Sequence, residues 1–142
     1  MKPRVLVVDD EAAVRPSLKM IFEYEGYEVH AVASGKEGLA EYASWKPQLT
    51  FMDVKMAGID GLETLKRLRA HDPAAVVVMI SGHASIQDAV AATNLGAYDI
   101  LETPLDTDRI LVTLRNAIGH LDLREENERL RAKVEKHGEI VG

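Results

Sequence analysis

Leu49-Thr50-Phe51-Met52-Asp53 is a short apolar run that ends in a carboxylate. Two other runs share this design. Val5 to Val8 leads into Asp9-Asp10-Glu11, and Val76 to Ile80 leads into Ser81-Gly82-His83. Runs of this length, rich in Val, Ile and Leu and without polar alternation, suit strands covered on both faces, as in parallel sheets. In an open parallel α/β sheet, functional groups gather beyond the carboxyl ends of the strands. If the three runs are neighbouring strands, Asp9, Asp10, Asp53 and Ser81 meet at one small site.

Working outward, apolar runs alternate with helical patterns. The first strand, Arg4 to Val8, precedes a helix from about Ala12 to Glu25, with Val14, Leu18, Ile21 and Phe22 as its apolar stripe. Pro16 falls near that helix's first turn, and Gly26 stands where a helix-ending glycine belongs. Tyr27 to Val32 alternates in part, which suits an edge strand. Ser34, with Glu37 three residues on, reads as a capping box for a second helix that stops before Pro47. Asp60 reads as the cap of a third helix buried along Leu62, Leu65 and Leu68. A fourth strand spans Ala75 to Ile80, a fourth helix about Ser85 to Asn94, and a fifth strand Ala97 to Leu101. Asp106 reads as the cap of a long final helix. Five strands alternating with five helices imply right-handed βαβ units and one doubly wound, five-stranded parallel sheet. Strand order 2-1-3-4-5 brings the three polar strand ends together.

The final helix is too long for the domain. Leu111, Leu114, Ile118 and Leu121 read as its sheet-facing residues. Beyond them Leu123, Asn127, Leu130, Val134 and His137 alternate spacings of four and three, as coiled-coil core positions do. Glu125 and Arg129 are placed for an i,i+4 pair. A solvated charged face is the competing reading of this pattern.

The chain has 142 residues and no cysteine, so one domain with a short extension is expected, without disulfides or thiolate metal sites. The net charge is -6, and no basic run precedes the C-terminal region, which argues against direct nucleic-acid binding by this piece. No signal peptide and no membrane-length apolar run is visible, so the expected compartment is the cytoplasm. The five histidines show no metal-ligand pairing and read as structural or solvent-exposed.

Three carboxylates held close repel one another and raise each other's pKa values. A hard divalent cation such as Mg²⁺ relieves this, taking one or two carboxylates, often a carbonyl, and phosphate oxygens. Such a site supports in-line phosphoryl transfer and an Asp nucleophile. Ser81 supplies a hydroxyl on the far side. Singly, Asp10 as a helix cap, Asp53 as a turn residue and Ser81 as a loop start are ordinary; together, at the ends of strands one, three and four, they point to a site.

These blocks carry a family resemblance. VLVVDDE (5–11), MDVKMAGIDG (52–61), ISGHAS (80–85) and GAYDILETPLD (96–106) resemble, in order and spacing, a two-component response-regulator receiver domain over residues 1–120. The resemblance implies the flavodoxin-like receiver fold, with Asp53 as phospho-acceptor and a sensor histidine kinase as phosphodonor. It implies that Asp10 binds Mg²⁺ directly, Asp9 mainly through water, and that the Lys55 carbonyl completes the protein ligands. Ser81 would contact the phosphoryl group and move when it arrives. Catalysis beyond Mg²⁺-dependent self-phosphorylation and its reversal is not expected. The later blocks look most like receivers of sigma-54-dependent transcription activators of the nitrogen-regulator type, in which a signalling helix joins the receiver to an AAA+ ATPase. On that resemblance, residues 121–137 are a coiled-coil linker forming a homodimer, and residues 138–142 begin a truncated ATPase domain.

Three positions depart from the family pattern. Thr103 stands where receivers carry a lysine before the proline, Ile100 where a switch Tyr or Phe is usual, and Ala57 where a loop proline is usual. A competing expectation follows: a pseudo-receiver that dimerises and binds metal but does not switch normally. A haloacid-type phosphatase would need a second Asp two residues after its nucleophile, where Lys55 stands, and a flavodoxin would need a phosphate-cradling loop after the first strand.

Overall fold

The computed structural model describes residues 2–82 and 85–123. β1 (Arg4–Val8), β2 (Glu28–Val32), β3 (Leu49–Asp53), β4 (Val77–Ser81) and β5 (Asp99–Glu102) form one sheet in the order β2-β1-β3-β4-β5. Every neighbouring pair is parallel. The helices are α1 (Val14–Tyr24), α2 (Gly35–Trp45), α3 (Gly61–His71), α4 (Ile86–Asn94) and α5, which covers 107–123 among the described residues. The register aligns Val8 with Met52 and Asp53 with Ile80, so β1, β3 and β4 end side by side.

Side chains alternate across each strand, and each face of the sheet has its own core. Val5, Val7, Phe51, Val78 and Ile80 pack under α1 and α5, against Leu18, Phe22, Ile110 and Leu114. Leu6, Val8, Met52, Val77 and Met79 pack on the other face, with Tyr42, Leu65, Leu68 and Ala92 of α2, α3 and α4. The Phe22 and Phe51 rings meet at 4.8 Å. Burial on both faces explains why β1, β3 and β4 read as unbroken apolar runs.

Local chemistry sets the helix ends. The Asp60 carboxylate accepts the Glu63 N–H at 2.9 Å. Ser34 Oγ accepts the Glu37 N–H at 3.1 Å, while Glu37 returns to the Ala33 N–H, one residue before the position a reciprocal box uses. A complete reciprocal box occurs instead at α4, between Ser85 and Asp88. Gly26 ends α1 at φ +95°, a backbone state that suits glycine.

Four sequence expectations shift. α1 begins at Val14, because the residues after β1 are held by the acid cluster; the Glu11 N–H goes to the Asp9 carboxylate, and no side chain caps the helix. β4 runs from Val77 to Ser81 and β5 from Asp99 to Glu102, both later than expected. The buried line of α5 is Ile110, Thr113, Leu114 and Ala117, with Leu111, Ile118 and Leu121 only partly buried. Thr113 and Ala117 carry little hydropathy but are small enough to lie against the sheet. Leu123 is exposed, and the remaining coiled-coil positions, Asn127, Leu130, Val134 and His137, lie outside the described residues. Among the described residues no helix is long and apolar enough to cross a membrane.

Candidate functional site: an acidic cluster at the sheet's carboxyl edge

Asp9 follows β1 and still pairs with β2, donating its N–H to the Val32 carbonyl at 3.1 Å. Its side chain is buried and accepts the Glu11 N–H at 2.9 Å; the Arg15 guanidinium donates to its carbonyl oxygen at 2.8 Å. Asp10 is exposed and reaches across to accept the Ala57 N–H at 3.3 Å from the loop after β3. Asp53 closes β3, and its carboxylate accepts the Lys55 N–H at 3.3 Å. The loop then folds back tightly. The Gly61 N–H donates to the Val54 carbonyl at 2.9 Å, and a Cβ on Gly61 would run into the Asp53 carbonyl.

Asp9, Asp10 and Asp53 each offer an oxygen within 4.8 Å of the others. None of the ion pairs among the described residues involves any of the three. Burial, and then the Asp9 charge, push the Asp53 carboxyl up to about 6, against the pull of the Lys55 N–H; Asp10 and Glu11 add to the rise. Burial also raises the Asp9 carboxyl, opposed by its hydrogen bond from Glu11. A compact all-oxygen set with unneutralised charge fits a hard divalent cation.

Ser81 ends β4 beside these acids. It is buried, and its Oγ has no hydrogen-bond partner among the described residues. Thr103 follows β5, and its Oγ1 lies 3.2 Å from where a Gly82 Cβ would stand. A cleft of about 550 Å³ opens from Asp9 and Asp53 past Gly82, Thr103 and Pro104 toward Val14, Leu18 and Ile110, and no lysine or arginine lines it among the described residues. Ile100 lines a separate groove with Ile86, Val90 and Glu102, between α4 and β5. The sheet therefore gathers Asp9, Asp10 and Asp53, with Ser81 and Thr103 on adjoining strand ends, and leaves Ile100 outside the cluster. Sequence reasoning missed two features. Glu11 adds charge to the cluster, which its place in VLVVDDE could have signalled. The Lys55 ammonium pairs with Asp88 at 3.6 Å, and the long separation of the two residues gave no signal for it.

Fold and site together define a doubly wound α/β domain with an acidic cation-type site at the switch point of its sheet. The chain belongs to the response regulator receiver domain family, whose sequence profile matches residues 5–115. It is 39% identical to the nitrogen assimilation regulatory protein NtrX of Azorhizobium caulinodans over 94% of this chain and 30% of that protein. It is 33% identical to the C4-dicarboxylate transport transcriptional regulatory protein DctD of Pseudomonas aeruginosa over 98% of this chain and 31% of that protein. The crystal structure of NtrX from Brucella abortus superposes with a TM-score of 0.85 at 36% identity, covering 92% of this chain and 30% of that one. The receiver domain of the same protein, solved alone, gives a TM-score of 0.77 at 37% identity, covering 81% of this chain and 98% of that one. The chain thus spans about a third of the length of the curated relatives it matches. The resemblance to nitrogen-regulator receivers holds.

Proposed function

We propose that the domain accepts a phosphoryl group on Asp53 as part of a two-component system. The observation that carries this reading is a buried carboxylate at the end of β3, with Asp9 and Asp10 oxygens within 4.8 Å and, among the described residues, no cationic side chain in an ion pair with them. Asp9, Asp10, Asp53 and the Lys55 carbonyl would hold Mg²⁺. Bound Mg²⁺ would neutralise charge between Asp53 and the incoming phosphoryl group. The Asp53 carboxylate oxygen attacks the phosphorus of a histidine-kinase phosphohistidine. An O–P bond forms as the P–N bond breaks, and the leaving imidazole keeps the electron pair. The β3 ladder and the Lys55 N–H orient the nucleophile, and Ser81 Oγ, free of other partners among the described residues, is available to the phosphoryl oxygens.

The phosphorylated domain would control dimerisation through the coiled-coil segment 121–137 and, through it, a sigma-54-dependent AAA+ ATPase beginning near residue 138, in the cytoplasm and without direct nucleic-acid contact by this piece. Acetyl phosphate with Mg²⁺ should label Asp53, located by mass spectrometry. Label at another residue, or label persisting in Asp53→Ala, refutes the assignment. Thr103 and Ile100 favour a second reading, the pseudo-receiver. It predicts Mg²⁺ binding with no change in dimer affinity on phosphorylation.

A further inference from the structure

We infer that Lys55 is the cationic partner of the phosphoryl group and that it reaches that group by leaving Asp88. This rests on Asp53 being the phospho-acceptor. A phosphoryl group there carries about 1.5 to 2 negative charges at neutral pH and calls for a nearby cation. The described residues offer few. The Arg15 guanidinium is engaged at the Asp9 carbonyl, and Thr103 brings a hydroxyl without charge. Lys55 lies two residues after Asp53, and its own N–H already touches the Asp53 carboxylate at 3.3 Å. Its ammonium sits at the end of a flexible four-carbon stem, is 64% exposed, and holds Asp88 Oδ2 at a loose 3.6 Å. Asp88 is only partly exposed, but a pair this long with its lysine in solvent is weak and readily exchanged. A doubly charged group on the adjacent carboxylate outcompetes the single charge of Asp88.

The exchange reaches α4. Asp88 Oδ2, which holds Lys55, also accepts the Ser85 N–H at 3.2 Å, and Ser85 Oγ accepts the Asp88 N–H at 3.1 Å. The Lys55–Asp88 pair therefore ties the loop after β3 to the first turn of α4. When Lys55 leaves, the cap itself survives, because an acid at a helix N-terminus is favourable without a partner. The tether is lost, and the first turn of α4, with its exposed Ile86, is no longer held to the loop after β3, while Ala92 keeps the rest of the helix on the core.

Beryllofluoride affinity at saturating Mg²⁺, measured in the chain as it stands, tests the exchange. Lys55→Met should weaken binding about tenfold and Lys55→Arg should restore most of it, as a charge-assisted contact would. Asp88→Asn should tighten binding about threefold by removing the competitor, and the double variant should match Lys55→Met. The Ser85 and Asp88 amide resonances should shift on beryllofluoride addition in the natural sequence and stay put in Lys55→Met. Asp88→Asn that leaves affinity unchanged or weakens it, or amide shifts that persist in Lys55→Met, overturn the exchange. If acetyl phosphate labels Asp53 yet the Lys55 variants behave like the natural sequence, this inference alone fails; if Asp53 takes neither label nor beryllofluoride, the phospho-acceptor reading fails and carries the inference with it.

Discussion

The Thr103 N–H donates to the Ser81 carbonyl at 2.9 Å, extending the β4–β5 ladder past its last paired residues. Ser81, the proposed phosphoryl contact, and the position where receivers carry a lysine are therefore fixed to each other by backbone. Displacement of one strand end is transmitted to the other without any side-chain contact between them.

Asp10 is exposed and accepts only a long hydrogen bond, from the Ala57 N–H, among the described residues, so Asp10→Asn should leave the fold intact. It removes one carboxylate charge from the proposed Mg²⁺ set. The Mg²⁺ dissociation constant should rise at least about tenfold, since a hard cation depends on carboxylate charge. Isothermal titration giving the same affinity in both proteins would remove Asp10 from the site.

Asp53 gives the metal-free protein a pH-dependent stability. Its carboxyl sits at about 6 when folded and 3.8 in the reference state, so the folded protein binds the proton more tightly. That contribution is fully present below the unfolded value and is lost as pH rises through the folded one. Between about pH 4 and 7, urea-unfolding stability in EDTA should fall by about 1–2 kcal/mol more in the natural protein than in Asp53→Asn. Mg²⁺ should flatten the difference. Parallel pH profiles for the two proteins in EDTA would mean that Asp53 is solvated like a surface carboxylate.

Gly61 is where α3 begins, directly against the carbonyl of Asp53. A methyl group there collides with the Asp53 carbonyl and the Val54 Cα, backbone atoms that cannot swing aside as the end of a side chain can. Gly61→Ala should destabilise the domain by about 1–3 kcal/mol, as overpacking does. It should also slow acetyl-phosphate labelling of Asp53. A variant with unchanged unfolding midpoint and labelling rate would show that the loop relaxes freely.

The parallel sheet and the acid cluster were legible because both follow from short-range signals. Apolar strands buried on both faces leave unbroken runs, and Asp9, Asp10 and Asp53 stand directly at the ends of such runs. Helix caps at Ser34 and Asp60 were legible for the same reason. What the sequence hid depends on three-dimensional neighbours. Thr113 and Ala117 are buried by fit, not by hydropathy. Gly61 reads as part of an ordinary helix start until the Asp53 carbonyl is seen behind it. Lys55 and Asp88 meet only because β3 and β4 are adjacent, and the cleft beside Thr103 exists only once α1 and α5 close over it.

The heptad-like segment beyond residue 121 carries the proposed dimer contact. Truncation after Leu123 keeps Ile110, Thr113, Leu114 and Ala117, the buried line of α5, so the domain should stay folded. It should sediment mainly as a monomer where the full chain sediments as a dimer. Tight dimerisation of the truncated form would place the interface on the receiver itself.

Thr103→Lys should act on the cleft in two opposed ways. Thr103 stands on the rim of the cleft of about 550 Å³ that has Asp9 and Asp53 at one end, so a longer side chain has space to enter. Its ammonium would meet acids whose carboxyls are already raised by burial and by one another. At close range and near a solvent-accessible cleft, such an attraction reaches a few kcal/mol, about 4 at 4 Å. Ordering a lysine side chain takes back up to about 2 kcal/mol. In EDTA at pH 7 the variant should therefore be more stable by about 1–2 kcal/mol, and the pH dependence assigned to Asp53 should weaken. Mg²⁺ affinity should fall in the same variant, because the ammonium repels the cation proposed for that space. Combined with Lys55→Met, Thr103→Lys should recover beryllofluoride binding, since it returns a cation to the phosphoryl group from the other side. Urea unfolding, Mg²⁺ titration and beryllofluoride titration measure the three effects. Unchanged stability with unchanged Mg²⁺ affinity would show that a side chain at 103 points away from the acids, and would end any charge-based account of this position.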